Sequence, residues 1–125
     1  MNGNAGVEML REFTATFNRR DLDAVMTYFT DDAVFESPRG PDPWGTRFAG
    51  KDRVREGLAA RFAGLPELNY GGDDHFVVGN RGASDWTLTG TTTDGERVEV
   101  RGCDLWTFRD GLITRKDSFW KIRVP

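Results

Sequence analysis

The stretch VEVRGCDLWTFRDGLITRKDSFWKIRV, residues 98 to 124, decides how this chain is read. β-Branched and aromatic residues dominate two long arms, and Arg109-Asp110-Gly111 supplies a turn between them. The pattern predicts a β-hairpin. Charged residues interrupt both arms at positions where a buried strand would carry apolar ones. That conflict marks the hairpin as the place to look for a functional site.

Register decides which charges share a face, because side chains alternate along a strand and a one-residue slip moves all of them across. A bulged turn with Gly111 left-handed pairs Phe108 with Leu112. Gly102, Asp104, Trp106, Phe108, Leu112, Thr114, Lys116, Ser118 and Trp120 then share a face, with Asp104 opposite Lys116. Cys103, Leu105, Thr107, Ile113, Arg115, Asp117 and Phe119 take the other. A tight two-residue turn sets Asp104 opposite Asp117 instead. The bulged register is preferred and the other stays open.

Around this hairpin the chain has the size and make-up of one domain, 1–125, with 38% hydrophobic and 30% charged residues. A net charge of -3 and a pI near 5.2 argue against a nucleic-acid surface, and no lysine or arginine cluster contradicts that. The single cysteine, Cys103, leaves no internal disulfide and suits a reducing cytosol. No apolar run reaches membrane-spanning length, and the first residues do not read as a signal peptide. The expectation is a cytoplasmic protein with no membrane partner.

Upstream, Val7, Leu10, Phe13 and Phe17 recur at helical spacing over residues 5 to 20. Asp21 is placed to cap a second helix over 21–30, with Leu22, Val25, Met26 and Phe29 on its apolar side. Ala33 to Glu36 reads as a short strand. Ser37 to Gly45 holds three of the five prolines and reads as a stiff loop. Within it, Trp44 either closes the core at the rim or forms a lid over a cavity. A third helix follows Gly50, with Val54, Leu58 and Phe62 inward and Arg53, Arg55 and Arg61 on a solvated face. From His75 the chain turns to strands, with further turns at Gly79-Asn80 and Asp94-Gly95.

Helices first and antiparallel strands after give an α+β fold: a cone-shaped, strongly bent antiparallel sheet with three helices over its concave face. Trp86, Leu88, Cys103, Leu105 and Phe119 are expected on the convex face, where they would form an exposed apolar patch. A homodimer through that face is therefore expected.

Three segments carry a resemblance: FNRRDLDAVMTYFTDDAVFE (17–36), FAGKDRVRE (48–56) and GCDLWTFRDGLI (102–113). The chain resembles the nuclear-transport-factor-2-like superfamily, specifically its SnoaL-like (polyketide-cyclase-like) and ketosteroid-isomerase-like branch. The resemblance implies a conical pocket, a dimer, and work on hydrophobic ring compounds. In the isomerases it also implies a carboxylate base after the first strand, and an oxyanion hole made by a first-helix tyrosine and a late-strand protonated aspartate. The late-strand aspartate matches Asp104. The base position falls on Ser37, which is not a useful proton acceptor, and the tyrosine position on Phe13, which has no hydroxyl. Steroid isomerisation by that route is not expected.

The candidate catalytic residues are Asp104 and Lys116, read either as a base with its counter-ion or as a structural ion pair. The candidate ligand-binding residues are Phe13, Phe17, Tyr28, Trp44, Phe62, Trp106, Ser118 and Trp120. His75, the only histidine, is expected at a rim or loop. No metal site and no cofactor are expected, since Asp73, Asp74 and His75 lack a second ligand cluster and phosphate-loop glycine spacing is absent. The expected partner is a small hydrophobic molecule. Its handling is either isomerase, cyclase or hydrolase chemistry anchored on Asp104, or binding without chemistry; a third reading is an interaction domain with a collapsed cavity, in which Trp86, Leu88 and Phe119 face a partner.

Overall fold

The computed structural model describes residues 2–125. The elements are α1 (Gly3–Asn18), α2 (Leu22–Met26), β1 (Phe29–Asp42), β2 (Gly45–Ala49), α3 (Lys51–Gly64), β3 (Asn69–Val78), β4 (Arg81–Thr91), β5 (Arg97–Arg109) and β6 (Leu112–Trp120). Asn2 caps α1 by accepting the Ala5 amide, and Asp21 caps α2 by accepting the Ala24 amide at 3.2 Å. Leu10, Phe13 and Phe17 on α1 and Val54 and Leu58 on α3 are buried, as their helical spacing requires.

Six strands form one sheet in the order β2-β1-β6-β5-β4-β3. The helices lie on one face of it, α1 against β3 and α3 against β1 and β2. The α+β architecture is the expected one, with one refinement: β1 runs parallel to β6, so the sheet is mixed. Register shifts interrupt the β1–β2, β1–β6, β3–β4 and β5–β6 ladders. Such bulges bend strands and deepen their twist, which is how a sheet wraps its helices.

Two expectations about β1 fail. The second helix stops at Met26 rather than near residue 30, because the Tyr28 carbonyl accepts the Ile113 amide at 2.8 Å and draws the chain into the sheet. The proline-rich segment 37–45 is not a loop. It continues β1 and turns into β2, with Glu36 opposite Arg47 and Ser37 opposite Thr46. The β6 ladder ends at Glu36 opposite Asp117, so Pro38 and Pro41 lie beyond its last rung and deprive it of no donor.

The convex-face expectation is corrected in part. Trp86 and Leu88 are buried against the helices. The reason is register: Trp86 pairs with Gly102, two positions from Asp104, so it shares the inward face. Gly102 makes this possible, since a Cβ there would stand 2.6 Å from the Trp86 ring. Leu105, Phe119, Phe76 and Val78 do remain exposed, and Cys103 is half-buried.

Candidate functional site

The site is built by the β5–β6 hairpin. Arg109 pairs with Leu112 across a two-residue turn, with Asp110 and Gly111 both at positive φ, 54° and 77°. Ile113 then pairs with Phe108 and Arg115 with Thr107, which leaves Thr114 as an extra residue on β6. Each sequence register therefore held half of the answer. The tight turn exists, and so does a bulge, but the bulge sits in the strand. It returns Lys116, Ser118 and Trp120 to the inward face after Ile113, and it places Asp104 opposite Ser118 rather than opposite Lys116 or Asp117. Leu112 and Thr114 drop out of the inward set.

One transverse row across four strands is polar. His75 pairs with Ser84, Ser84 with Asp104, and Asp104 with Ser118. All four are buried among aromatic rings. An unpaired polar group in such surroundings costs several kcal/mol, on the order of 1–3 for a neutral one and more for a charge. Every member here has a partner. Asp104 Oδ1 accepts from Lys116 Nζ at 2.7 Å and from the Ser118 hydroxyl, and Oδ2 accepts from Trp86 Nε1 at 3.0 Å. Lys116 also donates to Ser118 Oγ at 2.8 Å and lies over the Phe17, Phe35 and Trp106 rings. Burial pushes the Lys116 amine below its ordinary range, and the Asp104 carboxylate beside it only partly opposes that.

His75 is more than a rim residue. Its Nδ1 lies 2.6 Å from Ser84 Oγ and its Nε2 lies 2.6 Å from the Asp73 carboxylate. Trp106 Nε1 donates to the same Ser84 oxygen at 2.8 Å. The two indoles thus cross between strands: Trp86 of β4 bonds to Asp104 of β5, and Trp106 of β5 bonds to Ser84 of β4. Asp73, His75 and Ser84 have the residue types of a nucleophilic triad, and with Ser84 accepting from Trp106 Nε1 the hydrogen-bond chain ends on an indole.

The chamber next to Asp104 and Lys116 is walled by Phe13, Phe17, Tyr70, Trp86 and Trp106. It encloses only about 10 Å³, the scale of one water molecule. A drug-sized ligand needs roughly 300 Å³ or more, so the rings must part before one enters. Burial also holds the Tyr70 hydroxyl well above its ordinary pKa.

The structure brings some expected ligand residues together and separates others. Phe13, Phe17 and Trp106 wall the chamber, and Ser118 holds its carboxylate. Phe62 packs on Phe17 at 4.7 Å, Trp120 carries the Arg61 guanidinium at 4.2 Å, and Tyr28 meets Phe13 edge-on from outside the chamber. Trp44 is no lid. It is 42% exposed, stacks on Arg47 at 4.3 Å, and borders a groove of about 320 Å³ with Pro38, Pro43, Arg115 and Phe119. At that groove Glu36 is fully buried between Arg47 and Arg115. The sequence reading missed Ser84, Tyr70 and Trp86. The Ser84-Trp86-Leu88-Gly90 alternation was the signal available for β4.

The family model of the SnoaL-like domain matches residues 10–116. No curated protein sequence matches. Among solved structures, a candidate polyketide cyclase from Xanthomonas campestris pv. campestris superposes with a TM-score of 0.82 at 18% identity, over 94% of this chain and 91% of its own. A candidate isomerase from Bacillus subtilis gives 0.80 at 20% identity, covering 94% and 87%. A nuclear-transport-factor-2-like protein of unknown function from Mesorhizobium loti gives 0.76 at 27% identity, covering 95% and 93%. Among the described residues no helix is long and apolar enough to cross a membrane.

Lys116→Met tests the ion pair, because it strands the Asp104 carboxylate in the core. The expected loss is about 3–5 kcal/mol in urea unfolding, with much of it restored in the double variant Asp104→Leu/Lys116→Met. A single variant within about 1 kcal/mol of wild type would show that the pair is solvated.

Proposed function

This chain belongs to the SnoaL-like domain family, and on that footing we propose that it acts on a small, largely apolar ring compound held at Asp104. The observation that carries this reading is an Asp104–Lys116 ion pair buried inside an aromatic-walled chamber, where neither charge is needed for solubility. Titratable groups shifted by burial beside a specific charge partner cluster at functional sites, and Lys116 is such a group. The structural relatives designated as a cyclase and an isomerase are consistent with it. A carbonyl or epoxide oxygen entering the chamber would meet the Lys116 ammonium and the Ser118 hydroxyl. Both are donors that can stabilise developing negative charge there. Asp104, released from those two donors, would be the proton acceptor, so the reaction class is isomerisation, cyclisation or hydrolysis.

A second reading is binding without chemistry. It is favoured by the occupancy of Asp104, whose two oxygens already accept three hydrogen bonds. A carboxylate so engaged anchors well and abstracts protons poorly until its donors are recruited by substrate.

We also propose that a second copy of the chain covers the outer face of the sheet. Phe76, Ala83 and Leu105 form one row across β3, β4 and β5 that ends on Asp117, and Cys103 and Phe119 lie in the next, beside Asp85 and Asp74. Exposed aromatic and aliphatic side chains in contiguous rows mark an interface. Sedimentation should show a dimer that Leu105→Arg converts to monomer; a wild-type monomer at micromolar concentration would refute the idea.

The chemistry is tested with a panel of cyclic ketones and epoxides, following the Asp104 carboxyl carbon by NMR and product by mass spectrometry. The enzyme reading expects a compound that shifts the Asp104 resonance and is converted, with conversion reduced at least about 100-fold in Asp104→Asn. Binding without conversion supports the second reading. If no panel member disturbs Asp104, the site assignment is wrong.

A further inference from the structure

We propose that the ring compound taken by this chamber carries an acid group, a carboxylate or a comparable oxyanion, and that Arg61 receives it. The inference rests on the reading of the Asp104 chamber as a ligand site and specifies which ligands it selects.

Arg61 was expected on a solvated face with Arg53 and Arg55. Those two do hold surface carboxylates, Arg53 with Glu56 and Arg55 with Asp23. Arg61 behaves differently. It is half-buried near the end of α3, next to Phe62, whose ring rests on the chamber wall at Phe17. Its guanidinium carbon lies 4.2 Å over the Trp120 ring. Trp120 pairs with Gly102, the same residue that makes room for Trp86, so this cation lies beside the chamber without lining it.

Stacking uses the flat face of a guanidinium and leaves its N–H edges free. Among the described residues no carboxylate lies within 4 Å of Arg61, whereas Arg47, Arg109 and Arg115 each hold one. Burial disfavours its charge, while the Asp104 carboxylate supports it. Asp104 cannot serve as its partner, being bound already by Lys116, Ser118 and Trp86.

With Lys116 and Asp104 cancelling, the Arg61 charge beside the chamber is left without a counter-ion. A partly desolvated guanidinium, braced by an aromatic ring and open along its edge, is a fork for a carboxylate. A ligand whose ring lies along Phe17, Phe62 and Trp120 would place its acid on Arg61. Its distal oxygen would then point toward Lys116 and Ser118. Neutral ring compounds fit the same walls but leave Arg61 unmatched.

Calorimetric titration with 2-naphthoate and with its methyl ketone, 2-acetylnaphthalene, separates the possibilities. The proposal expects naphthoate to bind at least about tenfold more tightly than the ketone, the scale of one charge-assisted contact. Arg61→Gln should remove that advantage, leaving ketone affinity within about twofold, and Arg61→Lys should restore part of it. Arg47→Gln, in the outer groove, should change neither. Equal affinity for acid and ketone, or an acid preference abolished by Arg47→Gln rather than Arg61→Gln, overturns the role of Arg61 and leaves the chamber reading standing. Failure of both probes to bind overturns the chamber reading together with it. If Arg61→Gln does not fold, the Arg61→Lys variant and the salt dependence of naphthoate binding decide, since a preference insensitive to both is not made by Arg61.

Discussion

A carboxylate inside an apolar cone is the constraint around which the rest of this structure is arranged. Moving an isolated charge out of water costs more than a small domain's whole stability, so Asp104 must be met on every side. Lys116 supplies the counter-charge, Ser118 a hydroxyl and Trp86 an indole N–H. Each of those donors makes its own demand. Lys116 and Ser118 face inward only because Thr114 is squeezed out as a bulge. Trp86 reaches Asp104 only because the residue opposite it is Gly102.

The same logic extends outward from the charge. Trp106, which stands over Lys116, is fixed by Ser84, and Ser84 in turn by His75 and Asp73. The polar row thus runs from the half-exposed carboxylate of Asp73 to the centre of the cone. Aromatic rings from α1 seal it: Phe13 meets Trp106 at 5.4 Å and Phe17 meets Tyr70 at 5.4 Å. Sealing strengthens every electrostatic contact inside, since water no longer screens it. It also closes the chamber. Under the proposed ligand reading, entry would require α1 and its rings to move, so access and polarity would depend on the same few side chains.

Much of this was legible in the sequence. Charges within a strand pattern pointed to Asp104 and Lys116, because water-facing strands rarely place Trp106 and Trp120 beside them. The helices at 3–18 and 51–64 were legible from apolar spacing. What was not legible depends on register and packing. The proline segment read as a loop because its alternation is weak, and only the free side of β1 lets prolines into a strand. Trp86 and Leu88 were assigned outward because the β4–β5 register could not be counted across the turn at Asp94-Gly95. Arg61 was grouped with its helical neighbours because periodicity does not reveal that Trp120 comes to lie beneath it. Cavity volume is set by ring rotamers, for which sequence carries no period.

Hydrogen exchange of the tryptophan indoles, read by nitrogen-15 NMR, tests the central claim most directly. If the buried row is a single cooperative unit, the Nε1–H groups of Trp86 and Trp106 should exchange only through global unfolding. Their protection would then equal the stability measured in urea, while Trp44 exchanges freely. Exchange of Trp86 or Trp106 at a rate close to that of Trp44 would contradict the account, because the indoles would then not be held by Asp104 and Ser84.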